Sequence, residues 1–251
     1  MAVLPAIDPI DIRIIAIAQS SLFFCIVISV ALALFSRRPG VTTSILGLNS
    51  FLHLLVDACQ TKWGNGVILF APFNWEIINF GFFWPDSWPT YLLTISGLFY
   101  VIFIPIKINE GDLIDLVRPR SLRKVFAILL IAIYLCLPFA FIKVIESKDS
   151  HSVATIRNPC VNCPVAFDRA DFRKEADKNT LNTWSRQSYR VAGLRPEHSA
   201  KVSIRGKFRD SSTILVEDLY LHHGFNRDIP SYIGLAVVLV IWGKSIWVLR
   251  K

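Results

Sequence analysis

The feature that most constrains this chain is a stretch of sequence with no charge in it that is as long as a bilayer is thick. Residues 14–35 (IIAIAQSSLFFCIVISVALALF) are almost wholly apolar, and Arg37 and Arg38 lie close behind them. A helix needs about 20 such residues to cross the hydrocarbon core. Residues 125–142 (VFAILLIAIYLCLPFAFI) are equally apolar, with Pro138 near the end, and residues 230–249 (PSYIGLAVVLVIWGKSIWVL) carry Lys244 within snorkelling reach of an interface. Residues 91–106 are slightly short, but Trp84, Trp88, Tyr91 and Tyr100 have the character of interfacial anchors. Residues 41–59 (VTTSILGLNSFLHLLVDAC) are also of helix length. A cleaved signal peptide does not fit residues 14–35, because no basic segment precedes them and further apolar stretches follow.

The sequence therefore predicts an α-helical integral membrane protein of about five spans, with one water-soluble domain inserted before the last. Charged residues make up only 18% of the chain, and most of them fall between residues 146 and 228. The expected division is a helical membrane region over residues 1–145, a soluble domain over 146–228, and a last span with a basic tail over 230–251. Basic residues set the orientation. Arg37 and Arg38, then Lys107, Arg118, Arg120, Arg123 and Lys124, then Lys244, Arg250 and Lys251 would all be cytoplasmic. That puts residues 146–228 on the outer face. The net charge of +8 comes largely from these flanks and calls for no nucleic-acid partner.

Within the soluble domain, residues 201–208 (KVSIRGKF) and 213–222 (TILVEDLYLH) alternate in strand fashion around the turn-like RDSS, which predicts a hairpin. Residues 153–157 and 188–194 are further candidate strands, and residues 168–181 read as a helix with an acidic start. About 80 residues with these elements suit a small β-rich barrel of the OB type. Cys160 and Cys163 form a C-V-N-C pair, whose spacing fits a structural disulfide, a redox pair or half of a metal site. His222 and His223, at the end of the last strand, read as interfacial or structural.

Residues 41–59 hold the candidate site. Asn49, His53 and Asp57 are spaced i, i+4, i+8 and share one helical face. An ionisable group inside a span costs on the order of 3 kcal/mol, so His53 and Asp57 must face a cavity, pair with each other or bind something. A neutral imidazole and a carboxylate one turn apart can hold a divalent metal; zinc wants a third protein ligand, for which Glu76, Asp86 and Gln60 are nearest in sequence. The plainer reading is a His–Asp hydrogen bond that packs the helix.

The run at residues 53–72 (HLLVDACQTKWGNGVILFAP) resembles the signature of the bacterial membrane-bound metal-dependent hydrolase family, also described as LexA-binding inner-membrane hydrolase-like proteins. Members carry a segment of the type HLLLDxxTxxGxxLLxP, matched here by His53, Leu54, Leu55, Asp57, Thr61, Gly64 and Pro72. The resemblance covers about the first 105 residues and implies a bacterial inner-membrane hydrolase-like protein. It implies zinc or manganese held by His53 and Asp57, a site that Glu76 or Asp86 would have to join, with Asp57 as ligand or general base for a metal-bound water. The family's earlier histidine has no counterpart in residues 16–21 (AIAQSS), so the chain resembles a divergent or N-terminally shortened member, active or not. Two rivals stand beside this expectation. One is a non-catalytic membrane protein whose spans display residues 146–228 to a protein or small-molecule ligand. The other is a transporter subunit with the polar stripe lining its path.

Overall fold

The structure is a computed structural model that describes residues 8–103, 121–175, 179–222, 229, 231–237 and 239–240. Its described residues form seven α-helices followed by a closed five-stranded barrel. This corrects the expectation of an α-helical membrane protein of about five spans with a small β-rich domain inserted before the last. Among the described residues, two helices are long and apolar enough to cross a membrane, Pro39–Cys59 and Ser121–Ser147, or three candidates if one bent pair counts as a single span.

The reasons lie in particular residues. The stretch 14–35 is not one helix but two, α1 (Pro9–Gln19) and α2 (Leu22–Ala33), bent by 72°. Ser20 and Ser21 make the break. The Ser20 hydroxyl bonds back to Ile17 O, the competition with the backbone that serine offers inside a helix, and the Leu22 N–H finds Leu69 O in a later loop. Asp8 caps the start of α1 by accepting from Ile10 N, with Pro9 in the first turn. Ile10, Ile14, Ile17 and Ala18 form one buried face, so α1 belongs to the protein core rather than to a lipid-facing span.

The helix α3 (Pro39–Cys59) is continuous. The described part of α4 (Trp88–Phe103) has 16 residues, about 24 Å at 1.5 Å each, short of a bilayer core. Helix α5 (Ser121–Cys136) runs through a 3-10 turn at Leu137–Phe141, where Pro138 sits, into α6 (Ile142–Ser147). Much of the expected last span, at residues 230, 238 and 241–251, lies outside the described residues. Helix α2 packs against both α3 and α5. The opposite faces of α3 and α5 expose Ile45, Leu48, Leu122, Val125 and Ile128, an apolar surface suited to lipid.

A short helix α7 (Val153–Arg157) leads to the barrel. Its residues were expected as a strand; instead the Asp149 carboxylate accepts from the Ala154 and Thr155 N–H groups and caps a helical turn. Arg157 then gathers Asp8, Asp11 and Glu146, tying α7 to α1 and α6. The strands are β1 (Pro164–Lys174), β2 (Asn179–Asn182), β3 (Ser188–Gly193), β4 (Ala200–Asp210) and β5 (Thr213–Leu221). They close in the order β1-β2-β3-β5-β4, with β3 and β5 parallel and the other pairs antiparallel.

Phe167, Phe172, Leu181, Val202, Ile204, Phe208 and Ile214 fill the barrel. Each contributes about 1.5–3 kcal/mol by leaving water. The segment read as a helix, residues 168–181, is strand at 168–174 and again at 179–181, with residues 176–178 outside the described residues. Its alternation was hidden by a bulge. Between the pairs Phe167↔Ile204 and Ala170↔Val202, Asp168 and Arg169 stand opposite the single residue Ser203.

Candidate functional site

The site begins with an exception to alternation on β4. Val202, Ile204, Gly206 and Phe208 point into the barrel, while Lys201, Arg205 and Lys207 are exposed on its outside. Ser203 belongs to the outer set yet has 0% exposure. Something covers the barrel wall there, and it is the loop between α3 and α4.

Residues 60–87 fold back on the end of α3. Phe80 N–H donates to Ala58 O, Phe82 N–H to Cys59 O, and Thr61 N–H to Phe83 O. Gly64 has a φ of 63°, and a Cβ there would stand 2.1 Å from Ala166 O of β1, so only glycine lets the loop backbone lie this close to the barrel. Further along, Trp84 stacks on Tyr220 with centroids 3.7 Å apart, and Trp63 meets Trp84 edge-on at 5.1 Å.

Asp86 then reaches the wall itself. Its Oδ2 accepts from His222 Nδ1 at 3.1 Å, its Oδ1 accepts from Tyr220 Oη at 3.2 Å, and His222 Nε2 lies 2.7 Å from Ser203 Oγ. The Ser203 hydroxyl also lies 2.8 Å from Asp168 Oδ1 and accepts from Arg169 N–H at 3.1 Å. The Asp86 and His222 side chains are each 1% exposed.

Two bulges aim these groups at one point. Asp168 and Arg169 occupy the first, with Arg169 in the left-handed region at φ 55°. The second, at Glu217, separates Gly206↔Val216 from Arg205↔Asp218, and reverses which side chains of β5 face inward. Before it Ile214 and Val216 face the core; after it Leu219 does, and Tyr220 and His222 face the loop.

Burial holds the His222 pKa below its usual value, against the nearby Asp86 and Asp168 carboxylates, which pull it up. The imidazole is then neutral at pH 7 with its proton on Nδ1 toward Asp86, and the one Ser203 proton serves Asp168 Oδ1 or His222 Nε2, not both at once. Burial, helped by the Asp86 carboxylate, pushes Tyr220 up to about 12.

Aspartate, histidine and serine in this order also make up an acyl-transfer triad. Here the serine cannot act as a nucleophile, since it has no exposed surface and three protein groups surround its oxygen. The array joins barrel to loop. Next to it, Arg13 of α1, Gly64 and Asn65 of the loop, and Asp168, Arg169 and Trp184 of the barrel line an open cleft of about 250 Å3. The Arg13 guanidinium lies over the Trp184 ring at 5.4 Å.

Of the candidate ligands singled out from the sequence, Asp86, weighed as a third metal ligand, lies in this array on His222 and Tyr220, while the others lie elsewhere. His53 Nε2 is 4.0 Å from Asp57 Oδ2, but the His53 side chain is 75% exposed and Asp57 Oδ1 pairs with the Lys62 ammonium at 3.0 Å. Glu76 accepts from its neighbour Asn74 instead. Among the described residues no three of His, Cys, Asp and Glu converge as a metal site would require. Cys160 and Cys163 are joined in a disulfide, with Cα atoms 5.4 Å apart. His151 is buried, with Nε2 on Gly66 O at 3.1 Å.

His222 and Ser203 were missed as partners. The signal was present as the shift in apolar parity from Ile214 and Val216 to Leu219 and Leu221. Comparison with protein-family models, with characterised proteins and with solved structures finds no match.

Proposed function

We propose that this chain is a non-catalytic, membrane-anchored binding protein, in which apolar helices hold a five-stranded barrel at the outer surface and the barrel–loop junction presents a ligand cleft. The observation that carries this reading is the buried array Asp86–His222–Ser203, which fixes the barrel against the loop that leaves α3. A buried polar array of this kind fixes one arrangement when every member is satisfied. The exposed apolar faces of α3 and α5 support anchoring in lipid, and the basic residues flanking the apolar stretches favour the outer face for the barrel.

A second reading follows the resemblance to the metal-dependent hydrolase-like family, and the adjacency of His53 and Asp57 on α3 favours it. Against it, the Lys62 ammonium occupies the side of Asp57 that a cation would need. Elemental analysis of the detergent-solubilised protein beside a His53→Ala/Asp57→Ala double variant separates the two. The binding reading expects no stoichiometric zinc or manganese in either protein. Near-stoichiometric metal that disappears in the double variant would overturn it in favour of the hydrolase. Extraction by an alkaline carbonate wash would refute the membrane anchor.

A further inference from the structure

We propose that the loop between α3 and α4 is seated in the outer headgroup layer of the bilayer, with Phe73, Phe80, Phe82 and Trp88 as the inserted side chains. The inference rests on the membrane-anchored reading above and adds a second lipid contact, made by a loop rather than a helix face. The four rings are large, apolar and open to the outside: Phe73 is 88% exposed, and Phe80, Phe82 and Trp88 are exposed as well. A contiguous apolar patch of this kind on a folded protein marks an interaction surface.

What covers the patch follows from where it sits. Helix α3 has 21 residues, about 31 Å of rise, and Arg37 and Arg38 directly precede it. With its start at the inner interface, its end stands at the outer one, a core thickness of about 30 Å away. The loop is built on that end. Val67, Leu69 and Ile78 cluster with Leu54 and Ala58 of α3 and Leu22 of α2. Phe80 and Phe82 donate their N–H groups to Ala58 O and Cys59 O, and their rings stack at 5.7 Å. The turn that starts at Phe70 sets Phe73 edge-on to Phe23, in the first turn of α2. Phe83 O is held by the Thr61 N–H, and α4 begins shortly after, at Trp88. The exposed rings thus surround the level where α2 begins, α3 ends and α4 begins, and they continue the lipid-facing side of α3, where Leu52 and Leu55 are open.

The chemistry also fits an interface. Between Trp63 and Pro89 there is no lysine, arginine or histidine, and of the two carboxylates Asp86 is turned to the barrel wall, which leaves Glu76. Attraction comes from burying aromatic surface at the headgroup–acyl boundary, as for the apolar face of an interfacial helix, and needs no anionic lipid. The interfacial role expected of Trp84 passes to the phenylalanines, since the Trp84 ring is stacked on Tyr220. Because the same loop grips the barrel through Trp84 and Asp86, seating it holds the barrel against the membrane.

The test places a nitroxide on the full chain in phosphatidylcholine nanodiscs, at Phe73→Cys or Phe82→Cys, with Cys25, Cys59 and Cys136 replaced by alanine and the Cys160–Cys163 disulfide kept. Collisions with oxygen, which partitions into acyl chains, are compared with those of a water-soluble nickel chelate. Leu48→Cys on α3 and Arg190→Cys on the exposed outside of β3 are the lipid and water references. Both loop labels should favour oxygen, as the Leu48→Cys label does, and added phosphatidylglycerol should not change the ratio. In the unlabelled protein, phosphatidylcholine brominated near the headgroup should quench Trp88, and Trp88→Phe should lose that quenched component; this arm stands if a cysteine variant fails to fold.

Loop labels that favour nickel would place the rings in water and overturn the proposal, as would quenching unchanged in Trp88→Phe. Labels shielded from both reagents overturn it in favour of a protein partner or a second copy of the chain. Oxygen access that appears only with phosphatidylglycerol overturns the apolar mode of seating. Nickel access at Leu48→Cys would refute the membrane anchor itself, whereas Leu48→Cys in lipid with both loop labels in water removes the loop contact and leaves the anchor standing.

Discussion

His151 should make the protein acid-labile in a window that can be calculated. Its side chain is buried where the 3-10 turn before α7 meets the loop, with Nε2 on Gly66 O and no hydrogen-bond partner for Nδ1. A neutral ring with its proton on Nε2 satisfies this site; a second proton would put a buried donor on Nδ1 with nothing to receive it. Burial, and then the charge of Arg13, lowers the pKa from 6.5 to about 4, although the bond to Gly66 opposes the shift. Between those values the unfolded chain binds a proton here that the folded chain does not. Stability therefore rises with pH across the window and is lost as pH falls through it. The loss is about 2 kcal/mol by pH 5 and about 3 kcal/mol by pH 4.

The assay is the urea midpoint of the micelle-bound protein, followed by tryptophan fluorescence at pH 7, 5 and 4, beside His151→Asn. Asparagine tolerates the φ of 61° at this position and keeps a donor for Gly66, but does not titrate. His222, whose pKa is also lowered by burial, contributes to both proteins and drops out of the comparison. The wild type should lose about 2 kcal/mol more than the variant on going from pH 7 to pH 5. Equal losses in the two proteins would refute the reasoning.

Two further perturbations probe the junction. Asp86→Ala removes the acceptor of both His222 Nδ1 and Tyr220 Oη, and should cost about 3 kcal/mol and raise amide exchange in β5 and residues 60–87 together; Asp86→Asn, which keeps an acceptor, should cost less. Unchanged exchange in the alanine variant would mean that the loop is held by something else. Gly64→Ala places a methyl group against Ala166 O and should destabilise by about 2 kcal/mol or more in the same denaturation assay, whereas Gly97→Ala, which has open space around it, should not.

How much of this was legible in the sequence depends on whether the signal was local. The β4–β5 hairpin could be read because residues 201–208 and 213–222 alternate around a turn, and it lies at Ala200–Asp210 and Thr213–Leu221. Apolar length identified α3 and the helix Ser121–Ser147 for the same reason. The span count failed at residues 14–35, where composition satisfied a length rule but two serines bent the backbone by 72° and turned α1 into the core. Within the soluble domain the helix reading failed at β1, where a bulge made a strand look like an acidic helix start.

Those bulges explain why the candidate site was placed in the wrong part of the chain. The face shared by Asn49, His53 and Asp57 follows from a fixed helical period, so it can be derived from spacing alone. The junction follows from departures from period. Without the bulge at Asp168 and Arg169, the segment after Phe167 would pair with β4 in a different register, and Ser203 would lack its carboxylate. Without the extra residue at Glu217, Tyr220 and His222 would point into the barrel, where a hydroxyl and an imidazole would have no partner. Each bulge is tolerable only because the loop brings Asp86, Trp84 and Gly64 to the same patch from more than a hundred residues away in sequence. Burial of His222 and Ser203 is thus a consequence of long-range docking, and the chemistry lies where the local rules are broken.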